Sequence, residues 1–346
     1  PVLGEEELEE VEAVLASGML AQGDAVDAFE DNFAAYIGVE HAVAISSGTA
    51  ALHAALAAIG IKEGEEVLTT AFSFFATASC VLMQHAKPVF VDIEPGTYNI
   101  APSAIEDTIS ERTKAIIPVH LYGQPCMMKE IMDIAAERNL QVIEDAAQAH
   151  GAACGGEMVG SIGDVGVFSF YSTKNMITGE GGMITTNDAG IAERARMIRN
   201  HGQRARYVHE CMGYNYRMTN IAAAIGLAQL KKLDNLNARR ISNAGYYTAR
   251  LNAAKPYIAP GVTHVFHQYT VRVKERANFL AHLEKNGVGY GIYYPVPLPG
   301  LPVFTSDGFF KEAEVASKEV VSIPVHPSLS TEDVKRVVEV VNSYEG

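Results

Sequence analysis

Short apolar runs recur along the first two hundred residues at the spacing that a covered parallel sheet requires. Ala42–Ser46, Val67–Thr70, Pro88–Asp92, Ala115–His120, Gln141–Asp145, Gly166–Phe170 and Gly182–Thr186 are each short, apolar and bounded by turn-forming or polar residues, as buried strands are. Helical stretches lie between most of them, Thr49–Ile59 and Met127–Arg138 among them. This alternation predicts an α/β fold with a mostly parallel sheet covered on both faces. Gly166–Phe170 and Gly182–Thr186 are too close for a crossover helix, so one of the two is expected to run antiparallel. From Thr219 to about Leu251 the period turns helical, with Ala222, Ile225, Ala228 and Gln229 in register, and this helix leads out of the large domain. Beyond it, His264–Lys274 and Gly287–Tyr294 read as strands and Thr331–Tyr344 as a final helix, which suits a small α+β domain. The expected division is a large domain over 1–235 and a small one over 236–346, with the first ~20 residues packing on the small domain.

With 346 residues, 48% of them hydrophobic, the chain can build both cores. Its 27 Lys and Arg against 41 Asp and Glu leave a net charge of −14 with no basic block, which argues against nucleic acid or anionic lipid as a partner. Cys80, Cys126, Cys154 and Cys211 are far apart and form no C-x-x-C pair, so four reduced thiols are expected rather than a zinc or redox site. The stretch Pro1–Glu10 is acidic and without an apolar run, and Thr49–Ile61 is too short to span a bilayer. A soluble, cytoplasmic protein is expected.

Three constellations carry possible chemistry. In Ile45-Ser46-Ser47-Gly48-Thr49, followed by an Ala-rich helix, a strand stops and a helix begins. The free N–H groups of a first turn, flanked by hydroxyls, suit a phosphate; the same residues also make an ordinary N-cap. In Val142-Ile143-Glu144-Asp145-Ala146-Ala147-Gln148-Ala149-His150, an apolar strand delivers two acids at its carboxyl end, where open α/β sheets bind ligands. Asp145, at the strand end, is placed to pair with a protonated ring nitrogen within reach of Gln148, whereas Glu144 is expected to cap the following helix. In Phe168-Ser169-Phe170-Tyr171-Ser172-Thr173-Lys174-Asn175, with Gly179-Glu180-Gly181-Gly182 behind it, a lone lysine sits in a hydroxyl- and glycine-rich loop. Such a lysine is a solvated loop residue or, if desolvated, an amine nucleophile of lowered pKa. His264-x-x-His267 lacks an acidic partner at metal-like spacing, and no metal is expected. Neither a dinucleotide fingerprint, a P-loop nor a G-x-S-x-G elbow is present.

Taken in order, these stretches resemble the sugar aminotransferases of the DegT/DnrJ/EryC1/StrS family, fold type I pyridoxal-phosphate enzymes. The resemblance runs through almost the whole chain. It includes Ser47-Gly48-Thr49-Ala50-Ala51-Leu52, Pro118-Val119-His120-Leu121-Tyr122-Gly123-Gln124-Pro125, Glu144 to Gly151, Phe168 to Asn175, Gly213-Tyr214-Asn215-Tyr216-Arg217-Met218 and Tyr294-Pro295-x-Pro297. It implies that Lys174 is the Schiff-base lysine and that Asp145 is the partner of the pyridinium nitrogen. Gln148 would contact the phenolic oxygen, and Phe74, rather than Phe72, would stack on the ring. Ser47, Gly48, Thr49 and Ser169 would form the phosphate cup, completed by Asn215 from the other subunit of a homodimer with shared sites. Gly64-Glu65-Glu66-Val67 departs from the family's Gly-Asp-Glu-Val, away from these positions.

The cofactor so implied is pyridoxal 5'-phosphate, the acceptor a keto-sugar on a nucleoside diphosphate and the donor an amino acid, usually glutamate. Transfer in two half-reactions implies ping-pong kinetics. Relatives that remove a sugar hydroxyl carry His in place of the lysine, and Lys174 argues against that chemistry. Cyclitol amination with glutamine and a non-catalytic regulatory role are the alternatives.

Overall fold

The computed structural model describes residues 1–304, 306 and 308–345. Its centre is a seven-stranded sheet of β1 (His41–Ile45), β2 (Glu66–Thr70), β3 (Lys87–Val91), β4 (Thr113–Ile117), β5 (Gln141–Asp145), β6 (Val165–Ser169) and β7 (Gly182–Thr186), in the order β1-β7-β6-β5-β4-β2-β3. The chain around it supplies α1 (Glu5–Ser17), α2 (Asp24–Ile37), α3 (Gly48–Ile59), α4 (Ala76–Met83), α5 (Met128–Arg138), α6 (Ala189–Arg199) and α7 (Asn220–Arg250). Strands β2 to β6 pair in parallel, as their uninterrupted apolar runs predict. β7 is the antiparallel member, paired with β6 on one side and β1 on the other. Two of its neighbours therefore end beside the place where it begins.

Two apolar layers sandwich the sheet. On one face, the small side chains of α3 let it lie almost wholly buried against Val43, Ile117, Ile143, Val167 and Ile184. The other face packs Phe29 and Phe33 of α2 against Phe168 and Phe170, with ring centroids 5.0 Å apart for Phe33–Phe168 and 5.2 Å for Phe29–Phe170. All four rings are fully buried, each contributing about 1.5–3 kcal/mol. A buried ion pair, Arg199 to Glu30, ties α6 to α2, and both partners also bond the backbone of Ala44. α1 packs along the first half of α7, where Lys232 contacts Glu6 and Glu7 and Gln229 donates to Glu7 and to the carbonyl of Val2.

Thr219 caps α7, its Oγ1 accepting from the N–H of Ala222 at 3.2 Å. The far end of α7 enters a second core with β8 (Tyr269–Arg272), α8 (Arg276–Lys285), β9 (Val320–Ile323) and α10 (Thr331–Asn342), while α9 (Lys311–Glu319) packs elsewhere. Tyr247, Tyr269, Phe279, Leu283, Val321 and the valines of α10 fill that core. Leu298, Phe304, Ala313 and Ala316 turn back to pack with Phe72 and Phe90 beside β2 and β3.

Two expectations need correction here. Gly287–Tyr294 is not a strand: only Gly291 pairs, with Ser322, because a left-handed Gly287 and two further glycines leave the segment little side chain to pack, while Tyr293 and Tyr294 turn toward the large core. The strand expected over His264–Lys274 shrinks to Tyr269–Arg272, since Phe266 takes a positive φ of 47° that breaks the extended run. The partner of that strand is Val320–Ile323, a segment that the apolar pattern did not single out. Among the described residues, no helix is long and apolar enough to cross a membrane.

Two glycines test this packing with opposite signs. A Cβ on Gly166, in the middle of β6, would meet Thr185 Oγ1 at 2.3 Å and the Gly160 Cα at 2.4 Å. Gly166→Ala should therefore cost about 1–3 kcal/mol in a denaturant titration. Gly245, in α7, faces open space, and Gly245→Ala should add about 0.5–1 kcal/mol by helix propensity.

Candidate functional site

The parallel strands β1, β5 and β6 stop at one edge of the sheet, and the turns that follow them wall a cleft of about 520 Å³. Ser47, Gly48 and Thr49 come from the turn into α3, Phe74 from the approach to α4 and Thr77 from its first turn. Asp145 and Gln148 follow β5, and Ser169 and Lys174 follow β6. Eight of the nine residues expected at the site thus meet in one chain. Asn215 does not: it is exposed, outside the cleft lining, and its backbone pairs with Asn200.

At the α3 end, Ser47 both caps and lines. Its Oγ accepts from the N–H of Ala50 at 3.1 Å. As the first two residues of the helix, Gly48 and Thr49 have N–H groups with no intrahelical carbonyl to bind, at the positive end of the helix dipole. The cap and the anion site are therefore the same turn. Gly48 is required there by contact: a Cβ would stand 2.7 Å from that of Ser169. Two strand ends come together only because that atom is missing.

Asp145 is buried at the foot of the cleft. Thr77 donates to its Oδ2 at 2.8 Å and the N–H of Ala147 to its Oδ1 at 3.2 Å. Burial raises its pKa, and these two hydrogen bonds and the charge of Lys174 only partly oppose that. Its carboxylate is thus a buried charge short of a cationic partner. Gln148 is held by both ends of its amide, with Oε1 accepting from the N–H of Tyr122 at 2.8 Å and Nε2 donating to the Tyr294 hydroxyl at 3.1 Å. An amide nitrogen carries two hydrogens, so one donor remains.

The loop 170–181 leaves β6 and returns to β7, pinned by backbone bonds from Phe170 to Gly181 and from Thr178 to Phe170, both 2.8 Å. Next to Lys174, the amide of Asn175 donates to Asn237 at 2.9 Å and to the carbonyl of Val265 at 3.1 Å, tying the loop to α7 and to the second core. Lys174 is half-buried, not a solvated loop residue. Burial lowers its pKa to about 8, with Asp145 pulling the other way.

Phe72 is fully buried among Tyr98 and Tyr294, whereas Phe74 is 55% exposed and lines the cleft. Glu144 corrects the sequence reading: no helix begins after β5, and the buried side chain instead accepts from the N–H groups of Ile162 and Gly163, both at 2.8 Å, and faces His120 Nε2 at 3.0 Å. His120 Nδ1 accepts from the N–H of Cys126, so its proton sits on Nε2, toward Glu144. His264 and His267 also part company, the first bonded to the N–H of Phe266 and the second facing Asn175. Thr77, Glu180, His267 and Tyr293 also line the cleft, though none was expected there and His267 had been weighed only as a metal ligand. Thr77 had a signal in the hydroxyls around Phe74; His267 had none.

Comparison with known proteins gives the family. A profile of the DegT/DnrJ/EryC1/StrS aminotransferase family matches residues 1–342. A pleiotropic regulatory protein of Geobacillus stearothermophilus is 44% identical over 96% of this chain and 93% of its own. The dTDP-3-amino-3,6-dideoxy-alpha-D-galactopyranose transaminase of Aneurinibacillus thermoaerophilus is 41% identical, with the same coverage. The crystal structure of S. venezuelae DesV superposes with a TM-score of 0.95 at 36% identity, over 98% of this chain and 94% of that one. A fold type I sheet carrying a desolvated lysine above a buried acid, in a chain so matched, places this protein in the DegT/DnrJ/EryC1/StrS aminotransferase family, as an enzyme whose cofactor is pyridoxal 5'-phosphate.

Proposed function

We propose that this enzyme moves the amino group of an amino acid, glutamate, to a keto-sugar carried on a nucleoside diphosphate, with Lys174 and Asp145 as its catalytic residues. The observation that carries the reading is the pairing of an amine of lowered basicity with a buried, unneutralised carboxylate in one cleft. The nucleotide-sugar acceptor rests on what the relatives are named for, among them the dTDP-sugar transaminase.

The residues suit pyridoxal phosphate. The first turn of α3 offers unpaired N–H groups and hydroxyls to a phosphate, beside Ser169 and a glycine that leaves room. Phe74 brings an exposed aromatic ring to the cleft, and the spare Gln148 donor suits a phenolic oxygen. When bound, the cofactor supplies a carbonyl carbon for the amino group and a conjugated ring that takes up the electrons left by a departing proton. Asp145, short of a cation, would hold a proton on the ring nitrogen and so keep that ring electron-poor. With the cofactor held there, Lys174 would be the base that takes a proton from the donor's α-carbon and the acid that gives it back, a task suited to a pKa of about 8. Thr77 keeps the carboxylate of Asp145 oriented. A non-catalytic role, suggested by the name of the Geobacillus relative, has no need of Lys174, Asp145 and Gln148 in one cleft.

We propose further that the active unit is a symmetric homodimer, in which Asn215 completes the phosphate cup of the neighbouring subunit. Asn215 stands outside its own cleft, near exposed Tyr207, Val208 and Met212 in the chain. Helix capping, the other role open to it, belongs to Thr219.

Incubation with glutamate or glutamine and a set of nucleotide-linked 3-keto and 4-keto sugars should yield an amino sugar, read by mass. Lys174→Ala should yield none, and borohydride treatment of the wild type should fix the cofactor to the peptide containing Lys174. A label on another lysine would overturn that assignment. Asp145→Asn should keep the cofactor but lose more than tenfold in turnover, above about 1.4 kcal/mol of barrier; a smaller loss means the ring nitrogen pairs elsewhere. Mixing Lys174→Ala subunits with Asn215→Ala subunits under exchange should restore activity, since one site per heterodimer is then intact. Exchange without recovery, from impaired parents, would remove Asn215 from the shared site.

A further inference from the structure

A second cavity, of about 270 Å³, adjoins the catalytic cleft where the two cores meet. Thr173, His267, Gln268 and Tyr293 line both spaces, and Arg240 and His326 add to the wall of the second. Among the described residues, no Asp or Glu lines it. Arg240, on α7, is only 6% exposed. Its Nη1 donates to the carbonyls of Phe266 and His267, both at a long 3.3 Å, and its Nε–H, sealed from water, has no acceptor. Burial alone lowers its basicity, to about 10, with no carboxylate near enough to oppose the loss. A guanidinium remains charged even so. Buried arginines are ordinarily paired with an acid, because an unpaired charge in a low-dielectric interior is costly. This one has neutral surroundings: burial and the charges of Lys174 and Arg240 keep His267 unprotonated, and burial and Arg240 depress the basicity of His326.

We propose that Arg240 anchors a carboxylate of the amino donor. The site holds one fixed positive charge, a match for one carboxylate rather than for the several charges of a pyrophosphate. Its position fits as well. The cavity wall at Thr173 is the residue before Lys174, so a donor whose amine is processed at Lys174 has its carboxylate within reach of this space. The wider cleft of about 520 Å³ is open to the acceptor sugar. Arg240 thereby sets donor selectivity, distinguishing α-amino acids from simple amines, and it does so from the helix that joins the two cores. The inference rests on the aminotransferase reading above, and the two half-reactions separate them.

The test follows each half-reaction of the cofactor-loaded enzyme in stopped flow, with glutamate for the first and a nucleotide-linked keto-sugar for the second. Arg240→Met is compared with wild type after matched melting temperature and cofactor content. The donor concentration for half-maximal rate should rise at least tenfold, while that for the keto-sugar stays within twofold; Arg240→Lys should recover part of the loss. In the wild type, glutarate should compete with the donor and uridine diphosphate should not. An unchanged donor response in folded Arg240→Met, or equal losses in both half-reactions, overturns the proposal. Should Arg240→Met fail to fold, the wild-type competition decides: glutarate that does not compete with the donor overturns it, and selective competition upholds it. A wild type that accepts no donor amine at all would instead overturn the aminotransferase reading.

Discussion

The site depends first on how closely Gly48 lies against Ser169. A Cβ at Gly48 would sit 2.7 Å from that of Ser169, so the start of α3 and the end of β6 are held at a separation that only glycine permits. That contact places the open N–H groups of one helix beside the hydroxyl of Ser169, the last residue of β6. It also sets where the loop bearing Lys174 can leave the sheet. The antiparallel β7, between β1 and β6, brings that loop back within a dozen residues and keeps it taut. A wholly parallel arrangement would need a crossover helix there and would carry Lys174 away from Asp145.

Burial then does most of the chemical tuning. The same desolvation that pushes Asp145 up brings Lys174 down to about 8, and their mutual attraction moderates both. Neither group is brought to neutrality by a second ion pair, which leaves the cleft ready for a partner of complementary charge. Elsewhere the protein meets buried charge differently. Glu144 is satisfied by two backbone N–H groups and His120, and Glu30 by Arg199 and Ala44. Arg240 belongs with Asp145 and Lys174, buried and incompletely answered by its own chain.

The division between legible and illegible features follows from range. Apolar runs of four to six residues marked all seven strands of the central sheet, because a strand buried on both faces must be apolar along its length. The short link between Gly166–Phe170 and Gly182–Thr186 was enough to expect an antiparallel neighbour, a matter of local chain length. Asp145 and the Ser47-Gly48-Thr49 turn were visible as candidates because each stands at a strand end, where such sheets bind ligands, and Lys174 because it is the lone lysine of the hydroxyl- and glycine-rich loop after β6. Glu144 was misread because a carboxylate beside a turn looks the same whether it caps a helix or holds a distant backbone, and its partners lie eighteen to twenty-four residues away. The strand expected over Gly287–Tyr294 failed because a left-handed Gly287 and two further glycines leave too little side chain to pack, so only Gly291 pairs.

By itself, then, the sequence determined the α/β architecture of the large domain, the long helix after Thr219 and the identity of the residues at the strand ends, since all of these are written in local period and local turn chemistry. The tertiary structure decided which of those residues face one another. It set Thr77 under Asp145, turned Phe74 outward and Phe72 in, lowered the basicity of Lys174, and left Arg240 without an acid. Each of these depends on burial and on contacts between segments far apart in the chain, and desolvation is a property of the packed interior that no stretch of sequence contains.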